Sequence, residues 1–454
     1  MKRITIILAT LFAVLSCKQV DNPKEQFAKW AQKGVVVERV TCKSDPSQTY
    51  CLYLPSNYDF NKVYPAIYAF DPHGNGRIPV VLMKGIAEEL GYIVIGSNSS
   101  KNGLRQDELN HILSTLIIDS QQKVAIDSRR IYLAGFSGGA RVACMLAQEV
   151  LGIRGVVACS AGFQPNAAPL GFHFIGVAGN RDVNYLEMRK LSAFLDSAKI
   201  PNQFIVFNGK HQWPNESALA EAIYTLEIYA MKDSLIPIKK AFVENYLSSS
   251  KRRIESLEGM NNIDSLVMAL SLASRTYKTL EGLINLEEIK STINEISGKS
   301  QVQQYINGQT MLEQYEDQMQ KEFAKSFEGR SQDWWNSQIK LLTNQSSGIK
   351  GDVSKRLQGY ISLSCYGYVN GALHYHNWET ATYYISIYQQ VDPENPDSWY
   401  ALACLQANTN KASNAIESLK KAINYGFSDF SKIKADPLLI NLRSLSEFGA
   451  ITKE

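Results

Sequence analysis

Three residues of this chain have the types that acyl transfer to water requires: a serine nucleophile, an imidazole base and a carboxylate to orient it. The serine is Ser137, in Gly135-Phe136-Ser137-Gly138-Gly139. The apolar run Ile131–Ala134 precedes it, and Ala140, Ala143, Leu146, Ala147 and Val150 follow at helical spacing. Strand, glycine-flanked serine and helix, in that order, predict a nucleophile elbow, whose sharp turn lifts the hydroxyl to the top of a sheet. The same turn aims the Gly138 N–H, at a helix N-terminus, towards a developing oxyanion. Asp182 follows the apolar strand ending at Ala178, and His211 follows the one ending at Phe207. His211 would take the Ser137 proton and return it to the leaving group, while Asp182 fixes the imidazole tautomer.

These residues need a scaffold that brings three loops to one edge. Tyr64–Phe70, Tyr92–Gly96, the elbow strand, Gly155–Cys159, Phe172–Ala178 and Gln203–Phe207 read as strands. They alternate with helical patterns at Ile78–Leu90, Leu109–Gln122, Leu186–Ala198 and Ser217–Lys232. That alternation predicts an α/β fold, a mostly parallel sheet with helices on both faces. Its functional loops lie at the carboxyl ends of the strands. Competing groups fare worse. His111 falls on the polar side of a helix, His173 lies inside a strand, and His374 and His376 lie in a distant helical region. Asp196 is mid-helix and a weaker acid candidate than Asp182.

The order Ser, Asp, His resembles that of the α/β-hydrolase superfamily. The resemblance covers about Val35 to Asp233. Its His73-Gly74, Gly-x-Ser-x-Gly-Gly and His211-Gln212-Trp213-Pro214 are similar to the branch holding feruloyl esterases and polyhydroxyalkanoate depolymerases, which are secreted serine esterases. The resemblance implies a second oxyanion N–H from Gly74 or Asn75. His73 reads as a turn-shaping residue, and with Phe136 and Trp213 it is a candidate to line the substrate pocket. No large lid fits the short segment between Gly155 and Phe172.

The remaining sequence bounds the surroundings. A net charge of +3 on 454 residues argues against a nucleic-acid partner. No metal-ligand motif occurs among the seven Cys and six His, and no cofactor is expected. Residues 1–17 combine Met1-Lys2-Arg3, an apolar stretch and Val14-Leu15-Ser16-Cys17, which resembles the lipobox of bacterial lipoproteins. This implies export and a lipid anchor on Cys17, facing periplasm or cell surface, with residues 18–34 as a tether. In an oxidising compartment Cys42 and Cys51, flanking a turn-rich stretch, read as a hairpin closed by a disulfide, with two free thiols as the alternative. Cys144 and Cys159 read as core.

The hydrolase part is placed at residues 35–235, a helical linker or cap at 236–350, and helical repeats at 351–454. Helices are expected near Ala241–Met260, Ile263–Leu280, Val302–Phe327 and Trp334–Leu342, with Trp334 and Trp335 in a core. Ala381 and Ile385 recur about 34 residues later as Ala415 and Leu419, a spacing that resembles tetratricopeptide repeats. Such repeats could hold a protein partner or serve only as architecture. The leading expectation is an ester hydrolase acting on a small-molecule or oligomeric ester. A peptidase of the same fold comes second, and a vestigial scaffold third. The helical part is expected to be an accessory, so that residues 21–233 suffice for activity on small esters.

Overall fold

The computed structural model describes residues 23–164, 170–345 and 347–452. The signal-peptide and Cys17 assignments lie outside the described residues. The described part of the stretch expected to be a tether, residues 23–34, is instead built into the fold. Pro23–Trp30 is a helix, α1, whose Phe27 and Ala28 pack on the core with Ala31 behind them. Lys33 Nζ donates to the Tyr58 carbonyl at 2.7 Å.

The strands are β1 (Val36–Thr41), β2 (Thr49–Tyr53), β3 (Tyr64–Phe70), β4 (Ile93–Ser97), β5 (Ile126–Phe136), β6 (Ile153–Cys159), β7 (His173–Gly179) and β8 (Asn202–Phe207). They form one sheet in the order β1-β2-β4-β3-β5-β6-β7-β8, antiparallel at the β1/β2 and β2/β4 pairs and parallel elsewhere. The interleaved helices are α2 (Arg77–Leu90), α3 (Gln106–Lys123), α4 (Gly138–Glu149), α5 (Tyr185–Ser197) and α6 (Glu216–Lys232). Strands in the parallel part are buried on both faces, which is why they read as unbroken apolar runs. Tyr68, Leu133 and Phe174 meet α3, α4 and α5 on one face. Ile67, Tyr132 and Ile175 meet α2 and α6 on the other. This is the α/β-hydrolase fold, with the elbow strand β5 near its middle.

The hairpin β1–β2 is present, but Cys42 and Cys51 are free and buried, so the expected disulfide is corrected. The cause is strand alternation. Cys42 packs with Tyr50 and Leu52 on one side of the sheet, whereas Cys51 packs with Tyr53 on the other. Two side chains on opposite faces cannot bridge. Cys144 and Cys159 are buried in the core.

The rest of the chain is helical: α7 (Lys240–Gly259), α8 (Ile263–Leu280), α9 (Glu287–Gly298), α10 (Ser300–Ser326), α11 (Gln332–Thr343), α12 (Gly348–His374), α13 (Trp378–Val391), α14 (Pro396–Asn408), α15 (Ala412–Asn424), α16 (Phe430–Ala435) and α17 (Ser446–Ile451). Two cores hold them. The first joins Ile228 and Met231 of α6 to α7–α9 and the start of α10. The second runs from Phe323 at the end of α10 through α17, and Trp335 is fully buried in it. Ala381, Ile385, Ala415 and Leu419, the recurring positions, are buried there. No described helix is long and apolar enough to cross a membrane.

Candidate active site

Ser137 sits between β5 and α4 at φ 50°, ψ −119°, a backbone conformation that costs energy and persists because its neighbours over-determine it. Its N–H is tied to the Cys159 carbonyl at 2.8 Å. The flanking glycines allow strand and helix to close on each other. A Cβ on Gly135 would lie 2.2 Å from the Gly139 carbonyl oxygen, and one on Gly139 would lie 2.0 Å from that of Phe70. Any side chain at either position would push α4 off the sheet and move the hydroxyl with it.

The loops after β7 and β8 bring the other two groups to Ser137. His211 Nδ1 lies 2.9 Å from Asp182 Oδ1, and His211 Nε2 lies 3.0 Å from Ser137 Oγ. A proton held on Nδ1 by the carboxylate leaves the Nε2 lone pair facing the serine hydroxyl, the arrangement a general base requires. Asp182 is fully buried, while the His211 side chain keeps 26% of its surface exposed. Asp182 Oδ1 also accepts the Asn184 N–H at 2.9 Å, which orients the carboxylate. Asp196 is bonded to Asn202 and Lys278 instead. His111 pairs with Asp45 and His173 with Asp233.

The two loops are stitched together through Asn180. Its N–H donates to the Phe207 carbonyl at 2.9 Å, and its Oδ1 accepts the Gly209 N–H at 3.0 Å. Arg181 adds an N–H bond to the Gly209 carbonyl at 3.0 Å. The remaining groups of Asn180 reach into the helical module. Its Nδ2 donates to Asp352 Oδ2 at 2.8 Å, and its carbonyl accepts from Arg356 Nη1 at 2.6 Å. Arg356 is itself buried against Glu316, with Nε and Nη2 at 2.7–3.0 Å from the carboxylate oxygens. Burial pushes the Glu316 carboxyl above the ordinary glutamate range, and the Arg356 guanidinium opposes that shift. Sequence reasoning passed over Asn180, since its partners lie 172 and 176 residues away and leave no local pattern.

On the opposite side of Ser137, the β3–α2 turn carries the oxyanion candidates. The Gly138 N–H opens α4, where no helical acceptor exists for it. The Gly74 N–H is engaged by the Asp71 carbonyl at 3.1 Å, so that candidate is committed to the turn. The Asn75 N–H has only a long contact, 3.4 Å, to Asp71 Oδ1. Asp71, not singled out from the sequence, organises this turn. Its buried carboxylate accepts the His73 N–H at 2.9 Å and Trp213 Nε1 at 2.8 Å. The Asp-Pro-His spacing carried the signal, because an aspartate commonly bonds the N–H two residues on.

Trp213 and Phe136 pack as a pair, ring centres 5.7 Å apart, with Phe136 4.9 Å from the His211 ring. Their contacts therefore hold the base and the oxyanion turn in place. The His73 side chain is 76% exposed. Asn102, another residue that sequence reasoning missed, lays its amide over Gly138: a Cβ there would meet Oδ1 at 1.9 Å. Among the described residues no cluster of three or more His, Cys, Asp or Glu could hold a metal ion.

No protein-family model and no curated protein matches the chain. Solved structures resemble its first part. An S-formylglutathione hydrolase of Staphylococcus aureus is 15% identical, covering 42% of this chain and 96% of that one, with a TM-score of 0.36. A ferulic acid esterase is 19% identical over 41% of this chain and 95% of its own, with a TM-score of 0.34. Dipeptidyl peptidase 4 of Porphyromonas gingivalis is 15% identical over 42% of this chain and 34% of its own, with a TM-score of 0.32.

Proposed function

We propose that this protein is a serine hydrolase that cleaves carboxylic esters through an acyl-Ser137 intermediate. The observation that carries the reading is the unbroken chain Asp182–His211–Ser137, at 2.9 and 3.0 Å, ending on a serine in the elbow conformation. His211 accepts the serine proton as Oγ attacks the carbonyl, and the imidazolium formed is stabilised by Asp182. The oxyanion faces the Gly138 N–H, with the Asn75 N–H as the second donor of the proposal. The imidazolium then protonates the leaving alcohol, and water enters by the reverse sequence.

The test is labelling of the full chain by a fluorophosphonate, followed by mapping of the modified peptide. Modification of Ser137 that is lost in Ser137→Ala and His211→Ala is expected. Absence of labelling in the folded wild type would overturn the reading and favour a binding protein that kept the fold. Matched ester and amide substrates then separate esterase from peptidase.

Cellular placement belongs to the same proposal. The Val14-Leu15-Ser16-Cys17 motif supports export and lipid attachment at Cys17. Cys17→Ser is expected to move the protein from the membrane fraction to the soluble one, and its retention in membranes would refute the anchor. The 34-residue recurrence supports a tetratricopeptide-like module at the C-terminal end, with a protein partner as one use of its surface.

A further inference from the structure

One face of α12 runs from the candidate active site into a cavity of the helical module. Asp352, Arg356 and Gly359 occur at spacings of four and three and form a single stripe along the helix. The first two hold Asn180, and a Cβ on Gly359 would lie 3.3 Å from Cβ of Val183, the neighbour of Asp182. The same stripe continues as Leu363, Tyr366 and Asn370. Leu363 is left 45% exposed, and Tyr366 and Asn370 line a cavity of about 440 Å³. At 1.5 Å per residue the cavity begins about 10 Å along the helix from the acid loop.

Across the cavity, α14 presents Asp397 and Tyr400. The Asp397 carboxylate has no hydrogen bond and no close ion pair among the described residues. Burial raises its pKa, and the Lys432 ammonium opposes the shift. Of the other formal charges in the lining, Asp436 is capped by the Tyr400 hydroxyl at 2.6 Å, and Lys432 lies over the Tyr400 ring at 4.9 Å. Aromatic surface comes from Tyr366, Tyr388 and Tyr400. An unpartnered carboxylate among tyrosine rings is an environment that favours an ammonium group over a neutral or anionic one. His374 and His376, remote in sequence from the catalytic residues, line the same cavity.

We infer that the helical module supplies the specificity pocket of the hydrolase, and that the preferred substrate is an ester whose one arm carries an ammonium group to Asp397. The inference rests on the hydrolase reading of Ser137. It makes α12 and α14 a wall of the substrate cleft, with the ester carbonyl at Ser137 and the charged end in the cavity.

The test compares two activated esters on the full chain, 4-nitrophenyl 8-ammonio-octanoate and the neutral nonanoate of matching length. Wild type is expected to favour the ammonium ester roughly tenfold in kcat/KM, the effect of one charge-assisted contact. Asp397→Asn is expected to bring that ratio to about one. A wild-type ratio at or below one, or an undiminished ratio in Asp397→Asn, overturns the inference. A binding measurement separates it from the hydrolase reading. Octylammonium chloride titrated calorimetrically into full-length Ser137→Ala is expected to bind, and binding is expected to vanish in Ser137→Ala/Asp397→Asn. Binding that survives Asp397→Asn, or no binding at all, refutes the pocket. Failure of fluorophosphonate to label the wild type refutes only the hydrolase.

Discussion

Arg356 is the residue at which the attachment of the helical module to the Asp182 loop can be measured. Its guanidinium is 5% exposed, it pairs with a Glu316 that is fully buried, and it donates to the Asn180 carbonyl two residues before Asp182. Arg356→Met leaves Glu316 without its counter-charge. Breaking such a pair from one side costs about 3–5 kcal/mol, a large part of the roughly 5–15 kcal/mol that holds a typical protein folded. The cost depends on pH. With the guanidinium gone, burial alone acts on Glu316 and its folded-state pKa rises further above the unfolded value. Stability from a raised pKa is complete below the unfolded value and is lost as pH climbs through the folded one. Arg356→Met should therefore lie closer to wild type at pH 5 than at pH 8.

A double variant separates stability from catalysis. Arg356→Met/Glu316→Leu removes both charges, and replacement of a buried pair by apolar groups is often neutral or better for stability. It cannot restore the bond to the Asn180 carbonyl. If that bond positions the acid loop, kcat on a small ester falls in both variants, by as much as about 100-fold for a displacement near 1 Å. Stability is read from urea unfolding followed by tryptophan fluorescence at pH 5 and pH 8, and kcat from ester turnover at one pH. A double variant with wild-type stability and wild-type kcat would refute the claim that the module positions Asp182.

The other outcomes are more direct. Asp182→Asn should keep the fold and lower kcat by about 10⁴-fold, since the imidazole loses the partner that sets its tautomer; unchanged turnover would show that another acid serves. Burial pushes the Cys42 and Cys51 thiols up to about 11 and about 12. At pH 8 the native protein should thus leave both unmodified by iodoacetamide, while denatured, unreduced protein should be alkylated at both, and a Cys42–Cys51 bridge found by peptide mapping would contradict the geometry. A fragment ending at Asp233 loses Asp352 and Arg356 as partners of Asn180 and uncovers Ile228 and Met231, so it should turn over small esters more slowly than the full chain. Equal rates would favour the module as an accessory.

The parts of the site legible in the sequence were those fixed by local rules. A Gly-flanked serine between strand and helix is the local pattern of a nucleophile elbow, and Asp182 and His211 follow strands whose carboxyl ends share an edge with it. The pairing of Cys42 with Cys51 failed because a count of residues between cysteines says nothing about faces, and alternation along β1 and β2 separates them. The docking face of α12 escaped notice for another reason. Val353, Leu357, Ile361, Cys365 and Val369 face the module core while Asp352, Arg356 and Gly359 dock on the acid loop, so two buried sides blur the single apolar stripe by which a helix is read. Asp71 was visible as a turn residue, but its link to Trp213 spans 142 positions.

The long-range bonds change what the helical module means. The connection from β6 to β7 spans only residues 160–172, which leaves no room for an inserted lid over Ser137. Asn180 offers a lid-like element a place to attach, since the hydrogen bonds that close the base loop use its N–H and Oδ1 and leave its amide nitrogen and carbonyl for α12. An element held there lies beside the acid, and its free stripe runs on past Leu363 into the cavity that holds Asp397. Selectivity in a hydrolase requires contacts that a substrate makes in reaching the transition state, away from the reacting atoms. In this chain the candidate triad comes from the loops of the sheet, and the proposed reading assigns those remote contacts to the helices that follow it.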